Sequence, residues 1–369
     1  MPEKRKRICV VSFCNLYILP YTRTYVQSII DNGDECTLLY WDRELNGGEK
    51  DRAAFPTCKH VSFMKYKPID FGTKFYRVKT YLMATKFLRK HLKQGNYDGI
   101  VFLQTHAAII AFDILHKYYA GKYIVDIRDY SLENIALFRY LEKRVLKEAY
   151  KVVISSPAYK KFLPPSEYIV AHNFTEFKGD KVNSIKNTIG KDKSVLTISF
   201  VGTVRFYDMD KRIINTFAND DRFKICYYGT GSDVLRDYSL EKGIRNVEFR
   251  GSFLPDQTLD FYEKTDLINN LYGNHNPFLD YALSNKLYHT IQLFKPILVC
   301  PDTYMEVVVQ QYNLGFVVDI NNPDTPQILW EQYQSFDWDS FKKGCTSFLN
   351  VIKSDTLLFN ELCDSFAKI

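Results

Sequence analysis

The chain has 369 residues, of which 46% are hydrophobic and 25% are charged, and its formal net charge is +6. This length exceeds one ordinary hydrophobic core, so two domains are expected, and the composition is that of a globular protein. No apolar run approaches the roughly 18–20 residues of a membrane-spanning helix, so none is predicted. The mild positive charge is compatible with a polyanionic ligand or an acidic membrane surface, and equally with neither.

The eight cysteines show no Cys-x-x-Cys spacing and no paired spacing with histidine. Cys9, Cys226 and Cys300 lie in apolar, strand-like runs, where a free thiol behaves as a small hydrophobic side chain. The cysteines therefore favour a reducing cytoplasm over a disulfide-bonded protein. Neither structural zinc nor another metal site is predicted.

Short apolar runs alternate with helical patterns along the first half. The basic residues 4–7 and apolar residues 8–19 mimic a signal peptide, but polar interruptions and the lack of a cleavage pattern favour a first strand. A helix capped by Thr22 and closed by Gly33 follows, a long helix is predicted at 75–94, and Ser156-Pro157 is typical of a helix start. The predicted strands of this half are 8–13, 35–40, 61–66, 99–103, 123–127 and 152–155.

Residues 179–194 are polar, rich in lysine and almost free of aromatic side chains, which predicts a linker. The expected domains are therefore residues 1–178 and 195–336, followed by helices at 337–369 that pack back on the first domain. The predicted strands of the second domain are 197–201, 224–228, 247–249, 267–271, 297–300 and 316–319.

Strands joined by helices in this way imply parallel sheets with right-handed crossovers. The predicted fold class is α/β, with two Rossmann-like, doubly wound domains that face each other across a cleft. Ligands bind such sheets at the loops that follow the strands. In the second half these loops carry glycines, which admit a ligand close to the backbone, and an arginine suited to phosphate oxygens. The candidates are Gly202, Thr203, Arg205, Gly229, Gly231, Gly251, Asp280 and Tyr281.

The stretch LSNKLYHTIQLFKPILV, residues 283–299, is predicted to hold the chemistry. Ser284 can cap a helix, because its hydroxyl can accept a bond from an unpaired backbone N–H. Lys286 in the first turn opposes the helix dipole, which costs roughly 0.3–1 kcal/mol unless an anion lies between them. We expect an anion site here, although a solvated lysine gives the same pattern. A nucleotide diphosphate fits better than nucleic acid, because no helix shows a basic stripe interleaved with aromatics.

Polar residues also follow strands of the first half. Asp129 and Arg128 follow the strand at 123–127, and His106 follows the strand at 99–103, so each could contact an acceptor or a donor sugar. Asp129 could equally cap the next helix, and His106 could be only a turn residue.

The order of the second-half motifs VGTVR, YYGTGSD, VEFRG and SNKLYHTIQLFKPILV resembles the donor-binding half of glycosyltransferase group 1 enzymes with the GT-B fold. DIRDYS and HNF in the first half resemble the acceptor-domain loops of that family. The resemblance implies a nucleotide-diphosphate-sugar as co-substrate, with no other cofactor. It also implies a glycan or lipid-linked sugar acceptor in the first domain, and usually retention of anomeric configuration without a bound metal.

Carried over by position, Arg205 and Lys286 would hold the diphosphate, and Gly202 would admit it closely. The loop from Phe249 to Gly251 would lie near the base, and Ser284 with Asn285 would begin the donor-binding helix. The family often places two glutamates across the fourth loop and its helix, the second of which binds ribose. The matching positions here are Tyr281 and His289, so recognition of the ribose must differ. His289 could donate to a ribose oxygen or be a structural histidine.

The preferred function is a sugar transferase in surface polysaccharide or other glycan synthesis, located in the cytoplasm. The resemblance and the basic residues 4–7 also allow peripheral contact with anionic lipid at the inner face of the membrane. Two alternatives remain open. A nucleotide-sugar epimerase of the same fold would convert the donor without an acceptor, and a non-catalytic binding subunit would bind the donor without turnover.

Overall fold

The computed structural model of the chain describes residues 5–44, 46–64, 74–188, 190 and 193–366. The chain divides into two compact units, one formed by Met1–Asn173 with Ser354–Ile369 and the other by Phe174–Lys353. Among the residues described, each unit contains one sheet, of seven strands in the first and six in the second, and every strand pairing is parallel. The predicted α/β architecture with two Rossmann-like sheets is therefore confirmed.

The first sheet has the strand order β3-β2-β1-β4-β5-β6-β7. Its central strands are apolar on both faces, because helices cover both sides of a parallel sheet. Ile8, Cys9, Val10 and Val11 of β1, for example, are at most 1% exposed. The strands are β1 Arg7–Ser12, β2 Glu35–Asp42, β3 Lys59–Met64, β4 Gly99–Phe102, β5 Tyr123–Ile127, β6 Lys151–Ile154 and β7 Tyr168–Val170.

Six α-helices connect these strands. A π-helical turn, Leu115–Tyr119, and a 3-10 helix, Pro157–Lys161, supplement them, and the Ser156 hydroxyl caps the latter by accepting from Ala158 N. The helices are α1 Thr22–Asp31, α2 Gly47–Ala54, α3 Lys74–Gly95, α4 Thr105–Ile109, α5 Phe112–Ile114 and α6 Ala136–Glu148.

The second sheet has the order β10-β9-β8-β11-β12-β13. The carboxyl ends of its parallel strands lie on one edge, which brings together the loops after β8, β9, β10 and β11. Its strands are β8 Leu196–Val201, β9 Phe223–Tyr228, β10 Val247–Arg250, β11 Leu267–Asn270, β12 Ile297–Val299 and β13 Gly315–Val317.

The remaining helices flank this second sheet and end the chain. A short 3-10 helix, Pro255–Gln257, precedes α10. The helices are α7 Asp180–Lys186, α8 Tyr207–Thr216, α9 Asp233–Glu241, α10 Thr258–Glu263, α11 Pro277–Asp280, α12 Asn285–Leu293, α13 Tyr304–Tyr312, α14 Thr325–Gln334 and α15 Trp338–Phe366.

Two sequence predictions need correction, and one strand was not predicted. Much of the predicted linker at 179–194 folds as α7, because Val182 and Ile185 bury their side chains in the core of the second unit; residues 189, 191 and 192 lie outside the described part. Thr22 does not cap α1, whose N-cap is Tyr21 and makes no side-chain cap bond. The short edge strand β7 was not predicted, since three half-buried residues carry little periodic signal.

The end of α15 completes the core of the first unit. Phe359, Leu362 and Phe366 belong to the same buried cluster as Ile8 and Tyr25. The rings of Phe359 and Tyr25 meet edge to face with their centroids 5.1 Å apart. Gly99 lies so close to Phe366 that a Cβ there would be 2.9 Å from the ring. The first unit therefore needs the C-terminal residues for a closed core.

We predict that Phe359→Ala destabilises the first unit by about 3–5 kcal/mol, because it removes a buried aromatic ring and leaves a cavity. Leu357→Ala is the matched control on the same helix, since Leu357 is 64% exposed, and it should change stability by at most ~0.5 kcal/mol. Urea denaturation of both variants measures the difference. Equal stability of the two would contradict the packing of α15 in this core.

Candidate functional site

The loops after β8 and β9 pack directly on each other at the carboxyl edge of the second sheet. Gly202 N donates to Tyr228 O at 2.9 Å, and Gly229 N donates to Arg250 O at 2.8 Å. A Cβ on Gly229, whose φ is +141°, would lie 1.9 Å from Gly202 O. Gly231, with φ +88°, lies under the Tyr207 hydroxyl in a similar way. These two glycines are required by loop packing, whether or not a ligand approaches them.

Lys286 lies in the first turn of α12, and its ammonium is buried. The Ser284 hydroxyl caps the helix by accepting from Lys286 N at 3.3 Å, as predicted. The ammonium donates to the Tyr272 hydroxyl at 2.5 Å and lies 4.1 Å from the centroid of the Phe200 ring. A Cβ on Gly202 would lie 4.0 Å from Nζ. The lysine therefore points from the helix start to the end of β8.

The charges around Lys286 do not balance it. Burial lowers the pKa of Lys286 to about 7; the charge of Asp210 opposes this effect and the charge of Arg205 adds to it. Burial also raises the pKa of Asp210 to about 6. In the part of the chain that the structure describes, no carboxylate lies within ion-pair distance of Nζ. The site therefore carries positive charge that an anion can neutralise.

Arg205 follows the end of β8 and is exposed. It acts on the pKa values of both Lys286 and Tyr272, so the two predicted cations belong to one electrostatic site. Arg205 also lines a pocket of 570 Å³ at the carboxyl edge of β8, β12 and β13, together with Arg212 and Asn321. Thr203 and Asn285 are exposed beside the same loops.

The residues predicted to bind the base and the sugar lie in different environments. Phe249 is not in a loop: it lies in β10, and its ring stacks on Tyr227 in the core at 5.9 Å and 15°. Gly251 follows β10, where no atom of another residue would meet a Cβ. Asp280 ends α11 and has one buried carboxylate oxygen, Oδ1, without a hydrogen-bond partner. Tyr281 is the half-buried residue after it.

His289 is neutral and held by a neighbour in the second unit. Its Nδ1 lies 2.8 Å from the Tyr262 hydroxyl. Burial, with a smaller effect from the charge of Lys286, lowers the pKa of His289 to about 4. Because Tyr262 is fully buried and its O–H needs an acceptor, Nδ1 accepts and the ring proton lies on Nε2.

The three candidate residues of the first unit also lie in different environments. Arg128 is buried and fully paired: it donates to both carboxylate oxygens of Asp126 at 2.6 and 2.7 Å and to Ala171 O at 2.6 Å. Asp129 is exposed, does not cap α6, and has a pKa raised by desolvation. His106 packs edge to face on Phe13, and burial lowers its pKa to about 4. Arg128 is therefore hydrogen-bonded to other residues of the protein and is not a good candidate for ligand binding, while Asp129 is accessible.

No protein-family model matches the chain, and no curated protein is significantly similar to it in sequence. Solved structures nevertheless match along nearly its whole length. A sucrose-phosphate synthase from Thermosynechococcus elongatus is 11% identical with a TM-score of 0.65, over 97% of this chain and 98% of that one. The lipopolysaccharide outer core galactosyltransferase WaaB in its apo form is 13% identical with a TM-score of 0.65, over 98% and 100%.

The Anabaena protein HepE in complex with UDP and glucose is 12% identical with a TM-score of 0.63, over 99% of this chain and 100% of that one. The chain has the GT-B glycosyltransferase fold. The resemblance read from the motifs is thus confirmed at the level of the fold.

Within this GT-B chain, sequence reasoning missed the groups that surround Lys286. Phe200 is an inward-facing strand residue, Tyr272 is one of 27 tyrosines, and Asp210 is an ordinary acid near a helix start. Only folding places these three residues around the ammonium of Lys286. Among the described residues, no cluster of three potential ligands could hold a metal ion, and no helix has the length and hydropathy to cross a membrane.

We predict that Lys286→Met raises stability at acidic pH. The folded-state pKa of about 7 lies below the unfolded value of 10.5. The cost of the buried ammonium, roughly 3–5 kcal/mol, is therefore complete below pH 7 and disappears as the pH rises towards 10.5. Urea denaturation at pH 5.5 and 9 should show a gain at the lower pH that shrinks at the higher one.

Lys224→Met is the control for this experiment, because Lys224 forms an exposed pair with Glu248. It should change stability by less than about 1 kcal/mol at both pH values. A loss of stability in Lys286→Met at pH 5.5 would show that Lys286 stabilises the fold, and it would contradict a role as an unpaired, anion-binding cation.

Proposed function

We propose that the chain transfers a sugar from a nucleotide-diphosphate-sugar donor, bound by the second unit, to an acceptor bound by the first. The buried ammonium of Lys286, which lacks a carboxylate within ion-pair distance among the described residues, carries this proposal. A diphosphate would supply the missing charge to Lys286 and Arg205 together. The GT-B fold and the UDP bound to the similar HepE structure support this class of donor.

The chemistry requires little covalent participation by the protein. Negative charge grows on the departing diphosphate, and cations fixed in a desolvated site stabilise that charge most in the transition state. Each charge-assisted bond contributes roughly 1.5–3 kcal/mol. Lys286 is held in place by Tyr272 and Phe200, so it needs no reorganisation as the bond breaks. We further propose, from the family resemblance, a retaining reaction without a bound metal.

His289 would replace the ribose-binding glutamate of the family with a group of opposite hydrogen-bonding sense. Tyr262 occupies Nδ1, so the Nε2–H of His289 can donate to a ribose oxygen, whereas a carboxylate would accept from the hydroxyls. Gly251, open above the end of β10, is proposed to lie near the base. Asp129 is proposed to contact the acceptor or the transferred sugar.

The acceptor is proposed to be a glycan or lipid-linked sugar in surface polysaccharide synthesis, on the cytoplasmic side of a membrane. Lys4 of the basic N-terminal residues lies outside the described part, while Arg5 is exposed. Cations near an anionic surface contribute about 1 kcal/mol each. We predict that the chain floats with anionic liposomes at low salt and less at high salt. Absence at both salts would count against membrane contact.

Nucleotide binding tests the donor site directly. In titrations with UDP, GDP, ADP and dTDP, at least one should bind, and Arg205→Ala should weaken that binding about 10- to 100-fold. Lys286→Met should weaken it at least as much, while the corresponding monophosphate should be less affected. Arg236→Ala, in an exposed pair with Asp233, is the matched control. Binding of no diphosphate, or equal affinities in all variants, would refute the proposal.

The pH dependence of binding identifies Lys286 in particular. Its pKa of about 7 means that the free protein loses the ammonium charge above pH 7 and must take up a proton when an anion binds. The affinity should fall by up to about tenfold per pH unit above pH 7.5, where the ligand phosphate, of pKa about 6, is already ionised. Arg205→Ala should keep this slope, and Lys286→Met should lose it.

Incubation with donor and a panel of acceptors then separates the three activities. Transfer to an acceptor supports the proposal. An isomerised donor in the absence of acceptor would indicate an epimerase, and tight donor binding without turnover would indicate a binding subunit.

A further inference from the structure

Arg43 is a partly buried arginine whose charge has no partner in the described structure. It follows β2 directly, and its guanidinium lies 4.1 Å from the centroid of the Trp41 ring. The Nε atom is buried and makes no hydrogen bond, and no carboxylate of the described residues forms an ion pair with the side chain. Desolvation lowers the pKa of Arg43. Partial burial of a cation without an ion-pair partner is costly, so its presence calls for an explanation.

The neighbouring acids Asp42, Glu44 and Asp51 form no ion pair with Arg43 and accept hydrogen bonds from other residues. Asn15 donates to Asp42 at 2.9 Å and to Asp51 at 2.8 Å. Asp51 also accepts from the backbone N–H groups of Leu16 and Tyr17. The same Asn15 accepts from the backbone of Arg43 at 3.0 Å, so the network fixes the start of the loop and leaves the guanidinium outside it.

The titratable groups whose pKa values are affected by the charge of Arg43 are neutral at neutral pH. These are Cys14, Tyr81 and His106. Burial raises the pKa of the thiol and of the phenol, and it lowers the pKa of the imidazole to about 4. None of the three therefore offers negative charge at neutral pH.

The position of Arg43 is that of a ligand-binding residue. Strands β2, β1 and β4 are neighbours in the sheet, and Arg43, Cys14 and His106 follow their carboxyl ends. Trp41 is held between the rings of Phe13, at 6.1 Å, and Phe63, at 6.0 Å, so the guanidinium rests on a rigid support. A forked guanidinium held in this way is suited to two oxygens of a carboxylate or phosphate.

A buried arginine elsewhere in the same unit shows what a structural role looks like. Arg128 also lies over an aromatic ring, that of Tyr21, at 4.1 Å. All three nitrogens of its guanidinium, however, donate hydrogen bonds, to Asp126, Ala171 and Asn173. Arg43 has the ring but, among the described residues, none of these acceptors, so hydrogen bonding is what separates the two arginines.

We propose that Arg43 binds an anionic group, a carboxylate or a phosphate, of the acceptor. The acceptor is then an acidic sugar or a phosphate-bearing sugar, and not a neutral one. This inference rests on the proposed function for the word acceptor, while the anion site itself depends only on the first unit.

The first test uses thermal shift and calorimetry on the full chain with glucuronate, inorganic phosphate and glucose. Glucuronate or phosphate should stabilise the wild type, and glucose should not. Arg43→Gln should weaken anion binding about tenfold or more, and Arg43→Lys should restore it in part, because lysine keeps the charge without the fork. Arg23→Gln is the matched control, since Arg23 is an exposed arginine of the same unit whose guanidinium lies 5.9 Å from the centroid of the Phe55 ring.

Two readouts would overturn the proposal. Equal anion affinities in wild type and Arg43→Gln would show that the guanidinium is not the binding group. A large fall in the melting temperature of Arg43→Gln without added anion would show a structural role, because removal of an uncompensated charge should leave it unchanged or raise it.

Steady-state kinetics then distinguish the two anions. With a donor that supports transfer, Arg43→Gln should raise the KM for the correct acceptor, either a uronic acid glycoside or a sugar phosphate, about tenfold while kcat changes less. Activity confined to neutral glycosides would overturn the inference and leave the proposed transferase intact. If the chain binds anions through Arg43 but binds no nucleotide diphosphate, the result would support the anion site at Arg43 and reject the proposed transferase function.

Discussion

The central feature of the second unit is one buried ammonium group, that of Lys286. Lys286 enters the site from the first turn of α12, and its Nζ lies between the face of Phe200 and the hydroxyl of Tyr272. These contacts come from the end of β8 and from the loop after β11, so the lysine links the elements that form the carboxyl edge of the sheet. Desolvation is the largest influence on its pKa, and Asp210 offsets it only in part. An anion bound beside this ammonium would therefore stabilise the second unit.

Two buried cations, Arg128 and Lys286, and the partly buried Arg43 differ in their partners. Arg128 has a bidentate carboxylate and two further acceptors, so it stabilises the first unit as a closed network. Lys286 and Arg43 lie on aromatic rings and have no ion-pair partner among the described residues. Both follow the pattern of groups placed at the carboxyl ends of parallel strands, where ligands bind. The absence of a partner therefore separates binding candidates from structural cations better than burial does.

Gly229 and His289 show two different relations between a motif residue and its surroundings, one set by packing alone and one with changed chemistry. Gly229 is glycine because the carbonyl of Gly202 occupies the space of a Cβ, which explains the residue without any ligand. His289 is bound through Nδ1 by the buried Tyr262, and this contact fixes the ring with its other nitrogen as a donor. The same position in the resembled family carries a carboxylate, which can only accept. The nucleotide site that we propose for this chain thus differs from that of the family in hydrogen-bonding sense at His289.

The sequence alone determined the alternation of strands and helices, both parallel sheets, the Ser284 cap and the grouping of Arg205 with Lys286 at one edge. These features depend on local periodicity, on capping chemistry and on the rule that ligands bind after parallel strands. Tertiary structure decided the rest. It showed that α7 buries Val182 and Ile185 although its segment is polar, and that Phe249 packs against the core. It also showed that Arg128 has hydrogen-bond partners within the fold, whereas the buried Nε of Arg43 has none. The physical reason is that pairing and desolvation depend on distant residues brought together by folding, which no local pattern encodes.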